Sequence, residues 1–324
     1  MKKKILITGA CGFIGSHLTE FFLEKNFKVF AYDKYNSSNS WGWLEGANNK
    51  NLELILGDIK DYNMTLRIIK SVDYVFHLAA LVSIPQSYIS TSSFIENNVG
   101  GSFNILEGCK FYNKPIILTS TSEVYGSGRY FPMNEKHVLN AQSPYAASKT
   151  AADQLALSYQ RSFNLNLKII RPFNTYGPRQ SSRAIIPNLV SQFINDKKKQ
   201  INVGNINTSR DLTYVHDLCQ AYYLLYKKKK TKQIIYNVGA NKDIKISKLI
   251  KLISKITSIN KKVVIQKKRI RPKNSEVVRL LCDNSKFKRE FNWKPKINIT
   301  QGLENTISWT EENLNYFKTK NYNI

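Results

Sequence analysis

Short apolar runs alternate with longer amphipathic stretches through the first half of the chain. Ile5-Leu6-Ile7, Val29 to Tyr32, Leu52 to Leu56, Tyr74 to Leu78, Ile116 to Leu118 and Leu167 to Ile170 have the length and apolar continuity of strands buried on both faces. Between them, 14–25, 61–70, 94–112 and 146–163 carry helical periodicity. This repetition predicts an α/β fold, a Rossmann-type doubly wound parallel sheet. After Pro172 the rhythm breaks into turn-rich and mixed segments, with a strand at Ile234 to Tyr236 and a helix from about Lys245 to Ile256. No internal repeat or low-complexity linker interrupts the chain, so the second half is expected to form a smaller mixed α/β domain.

The 324 residues are 42% hydrophobic and 22% charged, an ordinary globular composition that excludes a disordered chain or a collagen-like fibre. No apolar run approaches the roughly 20 residues of a membrane span. Met1-Lys2-Lys3-Lys4 imitates the start of a signal peptide, but its apolar stretch ends after three residues at a Gly-rich turn, so a cytoplasmic protein is expected. The net charge of +26 would attract any polyanion. Its lysines fall in short runs such as 197–199 and 227–230 without interleaved aromatics, which favours a solvated surface over a nucleic-acid site. Cys11, Cys109, Cys219 and Cys282 are far apart and show no C-x-x-C spacing, so neither a disulfide framework nor a metal site is expected.

Directly after the first apolar run, Gly9, Gly12 and Gly15 form a G-x-x-G-x-x-G turn, and Phe13 and Ile14 open the following helix. Glycines suit a backbone that turns tightly and approaches a pyrophosphate, and the helix N-terminus favours the anion. Asp33 ends the second strand, where a carboxylate accepts ribose hydroxyls and repels a 2′-phosphate. NAD is therefore favoured over NADP, with neighbouring Lys34 pulling the other way and a plain turn residue as the alternative reading. Two further strand ends supply Asp58 and Ile59, and Leu78, Ala79 and Ala80, where small residues let a flat cofactor lie across the sheet. His77 is assigned no chemistry.

Tyr145 and Lys149 are four residues apart at the start of a predicted helix, hence on one face. An ammonium beside a phenol stabilises the phenolate and is expected to lower its pKa, making tyrosine a usable general base. In a chain rich in Lys and Tyr this spacing is weak alone. Joined to the glycine turn and to Thr121 after the fifth strand, it becomes specific.

With these residues, the sequence resembles the extended short-chain dehydrogenase/reductase family of nucleotide-sugar epimerases and dehydratases over essentially its whole length. The matching stretches are Gly9 to Gly15, His77 to Ala80, Asn98 with Gly101, Ser120 to Gly126, Tyr145 with Lys149, Arg171 to Arg179, and Arg210 to Asp217. The resemblance implies a nicotinamide cofactor contacted by Tyr145 and Lys149 as well as by the glycine turn, and a nucleoside-diphosphate sugar as substrate. Asn174 and Arg210 are expected near the diphosphate, with Glu276 and Arg279 as further contacts and Ser122 and Arg179 completing the substrate set. Arginines suit a pyrophosphate through charge-assisted bonds. The expected division is 1–172 with 209–240 for the NAD domain, and 173–208 with 241–324 for the nucleotide-sugar domain. A homodimer through 94–112 and 146–163 is also implied; apolar positions there such as Leu155 and Tyr159 either face the partner or merely cover the sheet.

Glu123 separates the reactions this frame supports. A 4-epimerase only removes and returns hydride at C4, and members of that type carry a small or neutral residue here. A 4,6-dehydratase must also take the C5 proton and expel the C6 hydroxyl, which needs another acid/base group; Glu123 provides one, unless it is merely a salt-bridged strand end. Where the dTDP-glucose type places an Asp before this Glu, Ser122 stands, as in the GDP-mannose type, so either Glu123 or a bound water supplies the acid. Asn36 to Leu44, Ser120 to Gly126 and Pro172 to Gln180 look like the 4,6-dehydratases that begin legionaminic acid synthesis from a nucleotide-linked N-acetylglucosamine, although Asp33 departs from that subgroup. Trp41 and Trp43 either cover the cofactor's adenosine half or pack the loop. The expectation is an NAD-dependent 4,6-dehydratase acting on UDP- or GDP-N-acetylglucosamine, without metal, nucleic-acid or membrane partners. A 4-epimerase is the nearest rival. A nicotinamide-sensing protein with a dead site is the rival of a different class, against which the intact Thr121, Tyr145 and Lys149 argue.

Overall fold

Every apolar run of the first half becomes a strand in the computed structural model, which describes residues 2–195 and 199–317; Lys197 and Lys198 of one basic run lie outside the described residues. The strands are β1 (Lys4–Thr8), β2 (Lys28–Lys34), β3 (Leu52–Gly57), β4 (Tyr74–His77), β5 (Ile116–Thr119), β6 (Leu167–Pro172), β7 (Asn174–Tyr176), β8 (Gln200–Val203), β9 (Ser209–Tyr214), β10 (Ile235–Val238), β11 (Asp243–Lys245) and β12 (Lys262–Ile265). The helices are α1 (Phe13–Glu24), α2 (Tyr62–Lys70), α3 (Ile84–Ile89), α4 (Thr91–Ile95), α5 (Gly101–Phe111), α6 (Pro144–Phe163), α7 (Ile185–Ile194), α8 (Val215–Lys227), α9 (Ile246–Thr257), α10 (Ser285–Phe291) and α11 (Ile299–Glu312).

The chain packs as two units: residues to Val124 with Ser143–Pro172 and Cys219–Tyr236, and Tyr125–Gln142 with Phe173–Leu218 and residues from Asn237 onward. In the first, a seven-stranded sheet has the order β10-β6-β5-β4-β1-β2-β3. From β3 to β6 every pairing is parallel; β1, β4, β5 and β6 are buried almost throughout, as parallel strands covered on both faces are, while the edge strand β3 is half-buried. Leu6, Val75, Ile116, Leu118 and Ile169 from the strands join Ile68, Ile105, Leu106 and Ala156 from helices in one core. In the second unit, β11-β9-β7 form a three-stranded sheet and β12 pairs with β8. Tyr176, Leu189, Phe193, Tyr214, Leu249, Ile253 and Leu303 make its core.

The units depart from the expected division at 125–142, 209–218 and 237–240, which pack with the second. Strand pairing gives the reason for 209–218, since β9 hydrogen-bonds to β7 and β11. In 125–142, the Met133 N–H donates to Leu281 O at 2.8 Å and the Tyr125 hydroxyl to Asn237 Oδ1 at 2.7 Å. The helix expected over 94–112 is also interrupted: a π-helical turn, Glu96–Gly100, separates α4 from α5 and holds buried Asn98. Among the described residues no helix is long and apolar enough to cross a membrane.

Candidate active site

Gly9 turns the backbone out of β1 with φ +69°, a left-handed conformation open to glycine. A Cβ there would meet Ala79 Cα and N at 2.9 Å, and one at Gly15 would lie 2.0 Å from Gly9 O. Helix α1 begins at Gly12 with neither a side-chain cap nor an acidic residue in its first turn, which leaves Phe13, Ile14 and Gly15 at a helix N-terminus open to an anion. Asp33 fastens this turn: its Oδ2 accepts the Cys11 N–H at 2.6 Å, while Oδ1 accepts the Lys34 N–H at 2.7 Å. The Trp43 N–H donates to Cys11 O at 3.1 Å, so the tryptophan loop is tied to the same turn.

The neighbouring strand ends are held by side chains. Thr8 Oγ1 accepts the Leu78 and Ala79 N–H groups at 3.2 and 3.1 Å, and Ala80 follows in the same segment. Thr8 Oγ1 is also 2.8 Å from His77 Nδ1, and His77 Nε2 is 3.0 Å from Ser102 Oγ. Burial, with Lys149 nearby, pulls the His77 imidazole down to about 3, so it is a neutral link in this chain of bonds. Asp58 Oδ1 accepts the Lys60 N–H at 2.9 Å, and Ile59 O accepts from Asn104 Nδ2 at 2.9 Å. Uncapped helix terminus, close-approach glycines and a carboxylate at the end of β2 together fit a dinucleotide.

Ser143 caps α6 by accepting the Ala146 N–H at 3.1 Å, and Pro144 fixes the first helical residue, so Tyr145 and Lys149 fall within the first two turns. Tyr145 is buried with its ring edge-on to Phe94, 6.2 Å between centroids. Its hydroxyl is hydrogen-bonded to the Thr121 side chain. Lys149 Nζ donates to Thr119 O at 2.7 Å, and Thr119 Oγ1 is 2.7 Å from the Tyr222 hydroxyl. The Glu123 N–H donates to Thr121 Oγ1 at 3.2 Å from a 3₁₀ turn, Ser122–Tyr125, in which Ser122 is buried. Thr121, Glu123, Tyr145 and Lys149 are thus brought together in the first unit.

The electrostatics correct one expectation. Burial pushes the Tyr145 phenol up, the Thr121 bond offsets part of this, and the charges of Glu123 and Asp153 add to it. Burial also pulls the Lys149 ammonium down to about 8, with Asp153 acting the other way. The expected lowering of the phenol is absent because desolvation of a buried acid outweighs one hydrogen bond.

The expected diphosphate residues lie in the second unit. Asn174 and Arg210 stand on neighbouring strands β7 and β9, and Asn174 Oδ1 is buried with no hydrogen-bond partner. Arg210 Nη1 donates to Ser209 O at 2.8 Å, and Nη2 is 3.6 Å from Glu276 Oε1. Arg279 does not join that pair. It forks onto Asp243 at 2.9 and 3.2 Å, and Ser209 Oγ donates to the same carboxylate at 2.5 Å. Arg179 sits at φ +69° just past the strand. Among the described residues no cluster of three His, Cys, Asp or Glu side chains could hold a metal ion.

Two residues take roles that the sequence did not assign: Asn98, read there only as part of a matching stretch, and Asp153, not read at all. Asn98 clamps Leu81 through its N–H at 2.8 Å and its carbonyl at 3.1 Å, and donates to Ser148 Oγ at 3.0 Å. Asp153, fully buried, bonds Ser120 and Arg171. A polar residue one turn past Lys149, between Ala152 and Ala156, was the available signal for the latter.

The family model described as GDP-mannose 4,6 dehydratase matches residues 6–306. The dTDP-D-glucose 4,6-dehydratase of Dictyostelium discoideum is 32% identical over 371 residues, covering 98% of this chain and 84% of its own. A putative UDP-glucose 4-epimerase of Methanocaldococcus jannaschii is 30% identical over 315 residues, covering 95% and 99%. The crystal structure of dTDP-glucose 4,6-dehydratase from Bacillus anthracis in complex with NAD matches with a TM-score of 0.84 at 29% identity, covering 98% of this chain and 99% of that one.

Proposed function

The chain belongs to the family of NAD-dependent nucleotide-sugar 4,6-dehydratases and epimerases, and from that premise we propose that it is a 4,6-dehydratase acting on UDP- or GDP-N-acetylglucosamine. The observation that carries this reading is the Glu123 carboxylate, close enough to act on the Tyr145 phenol and bonded through its backbone to Thr121.

Gly9, Gly12, Phe13, Ile14, Gly15, Asp33, Asp58, Ile59 and Leu78 to Ala80, with Tyr145 and Lys149, would hold the cofactor. NAD, when bound, would supply the acceptor for the C4 hydride of the sugar and the donor that returns it at C6. Tyr145, as the phenolate that the Lys149 ammonium stabilises, takes the proton of the C4 hydroxyl, which Thr121 orients, and so becomes the neutral phenol. The 4-ketone acidifies the C5 hydrogen, and Glu123 removes it. With Ser122 where an acid would otherwise stand, the protonated Glu123 is the group that passes a proton to the leaving C6 oxygen, so water departs and the carboxylate is restored. Hydride return at C6 is completed by a solvent proton at C5, and Tyr145 releases its proton to solvent to regenerate the phenolate. Asn174, Arg179, Arg210, Glu276 and Arg279, with Ser122, are the residues assigned to the nucleotide sugar. The N-acetylglucosamine preference rests on the likeness of 36–44, 120–126 and 172–180 to the legionaminic acid dehydratases.

Ser122 also favours a second reading, a 4-epimerase, because an epimerase needs no acid for water loss; a relative bearing that name is 30% identical. Mass spectrometry of the product from a panel of UDP-, GDP- and dTDP-sugars tests the proposal. A product lighter by one water is expected from an N-acetylglucosamine donor. An isomer of unchanged mass would establish the epimerase instead.

A further inference from the structure

Asp153 lies one helical turn beyond Lys149 on α6 and takes no part in the reaction described above. Its side chain is 0% exposed and that of Arg171 2%. One oxygen, Oδ2, accepts from Ser120 Oγ at 2.8 Å, Arg171 Nε at 3.0 Å and Arg171 Nη2 at 2.8 Å, whereas Oδ1 is buried without a hydrogen-bond partner. A buried ion pair gives little net stability over apolar residues of similar volume, and an unsatisfied carboxylate oxygen adds a cost. Packing alone therefore does not account for a charge at this position.

One turn back along α6, four residues from Asp153, stands the buried amine of Lys149. Around Lys149, β5 presents the Thr119 carbonyl, which takes the Nζ hydrogen bond, and α8 presents Tyr222, bound to Thr119 Oγ1. From β4 comes His77, held neutral, and from β6 comes Arg171, committed to Asp153. One further turn back on α6 stands Tyr145, and Glu123 acts on its phenol. We propose that Asp153 is a positioning residue that holds Lys149 as an ammonium at working pH, with Arg171 and Ser120 fixing the carboxylate in place. The proposal rests on the reading of Tyr145 and Lys149 as the pair that handles the C4 proton. In support, burial alone favours a neutral Lys149 amine, and Asp153 is the charge that opposes it.

Removing that charge lowers the Lys149 pKa, so the amine loses its proton at lower pH. The test uses NAD-loaded protein carrying [ε-13C]lysine, with the Lys149 signal assigned by its loss in Lys149→Met. In Asp153→Asn the Lys149 titration is expected to move down by about one pH unit, the scale of a nearby opposite charge, and the alkaline limb of kcat/KM to move with it. Asp153→Glu, which keeps the charge, restores both. Asp153→Ser, which leaves a hydroxyl for Arg171 and room for a water, gives the same reading if the Asn protein does not fold. A Lys149 titration unchanged in both neutral variants overturns the proposal. A titration that moves while the alkaline limb does not supports the action of Asp153 on Lys149 and instead overturns the part given to Lys149 in the reaction.

Discussion

Glu123 donates its backbone N–H to Thr121 Oγ1 at 3.2 Å, so the residue that would take the C5 proton also helps to fix the hydroxyl that would orient the C4 oxygen. That backbone bond survives a change of the Glu123 side chain. Glu123→Gln should therefore keep the oxidation step and lose the elimination. Reduced nicotinamide is expected to build up on mixing with substrate, with slowed exchange of the C5 hydrogen for solvent deuterium. Dehydrated product at the wild-type rate would leave Glu123 a structural residue.

Tyr145→Phe blocks the earlier step while keeping the contact with Phe94. Turnover is expected to fall by about 10²–10⁴-fold, the usual loss of a general acid/base, with no build-up of reduced nicotinamide. Near-normal activity would move the base elsewhere.

Asp33 gives NAD binding a distinct signature. Its carboxylate holds the Cys11 N–H and, in the proposed role, would repel a 2′-phosphate, so Asp33→Ser should weaken NAD and narrow the gap to NADP. Calorimetric titration of both cofactors checks this. Tight NADP binding by the unaltered protein would contradict the assignment.

Asp211 predicts a pH dependence of stability. Burial pushes its carboxyl up to about 7, partly offset by N–H bonds from Ala240, Cys282, Asn241 and Lys242. Because the folded state then holds a proton that the unfolded state releases above the ordinary carboxylate range, this group adds stability as pH falls from about 7 towards 4. Urea midpoints at pH 5 and 8 should differ less in Asp211→Asn than in the wild type. An equal difference in both proteins would show that another group carries the dependence.

Tyr159 is buried in the core of the first unit with its hydroxyl bonded to Glu107, and Leu155 packs against that core, so both cover the sheet. The exposed aromatics of α5 and α6 are Phe103 at 43%, Phe111 at 70% and Phe163 at 53%, the surface on which the expected homodimer would rest. Sedimentation at micromolar concentration should show a dimer, and Phe103→Glu should shift it to monomer. A wild-type monomer at that concentration would refute the pairing.

The legible part of the fold was the part buried on both sides. Strands such as Ile116-Ile117-Leu118 need no polar face, and their apolar runs stand out against the helices between them. By contrast, β9 is Ser-Arg-Asp-Leu-Thr-Tyr, buried throughout yet mostly polar, because its side chains bond to neighbours such as Asp243 and the 240–242 backbone. No periodicity reveals such a strand. At the candidate site, Tyr145, Lys149 and the glycines were readable because their spacing is local. Asp153 was not, since its meaning depends on Arg171 and Ser120, which only the folded sheet brings to it.

The chain changes unit five times, at 125, 143, 173, 219 and 237. During synthesis, β6 emerges from the ribosome well before β10, its neighbour at the sheet edge. Until then the nascent protein carries an open strand edge of the kind that templates aggregation. A fragment ending near residue 172 would include the glycine turn, Thr121, Tyr145 and Lys149, yet it would keep that edge open permanently. The residues proposed for proton and hydride handling can therefore all be present in a product whose sheet edge remains a template for association.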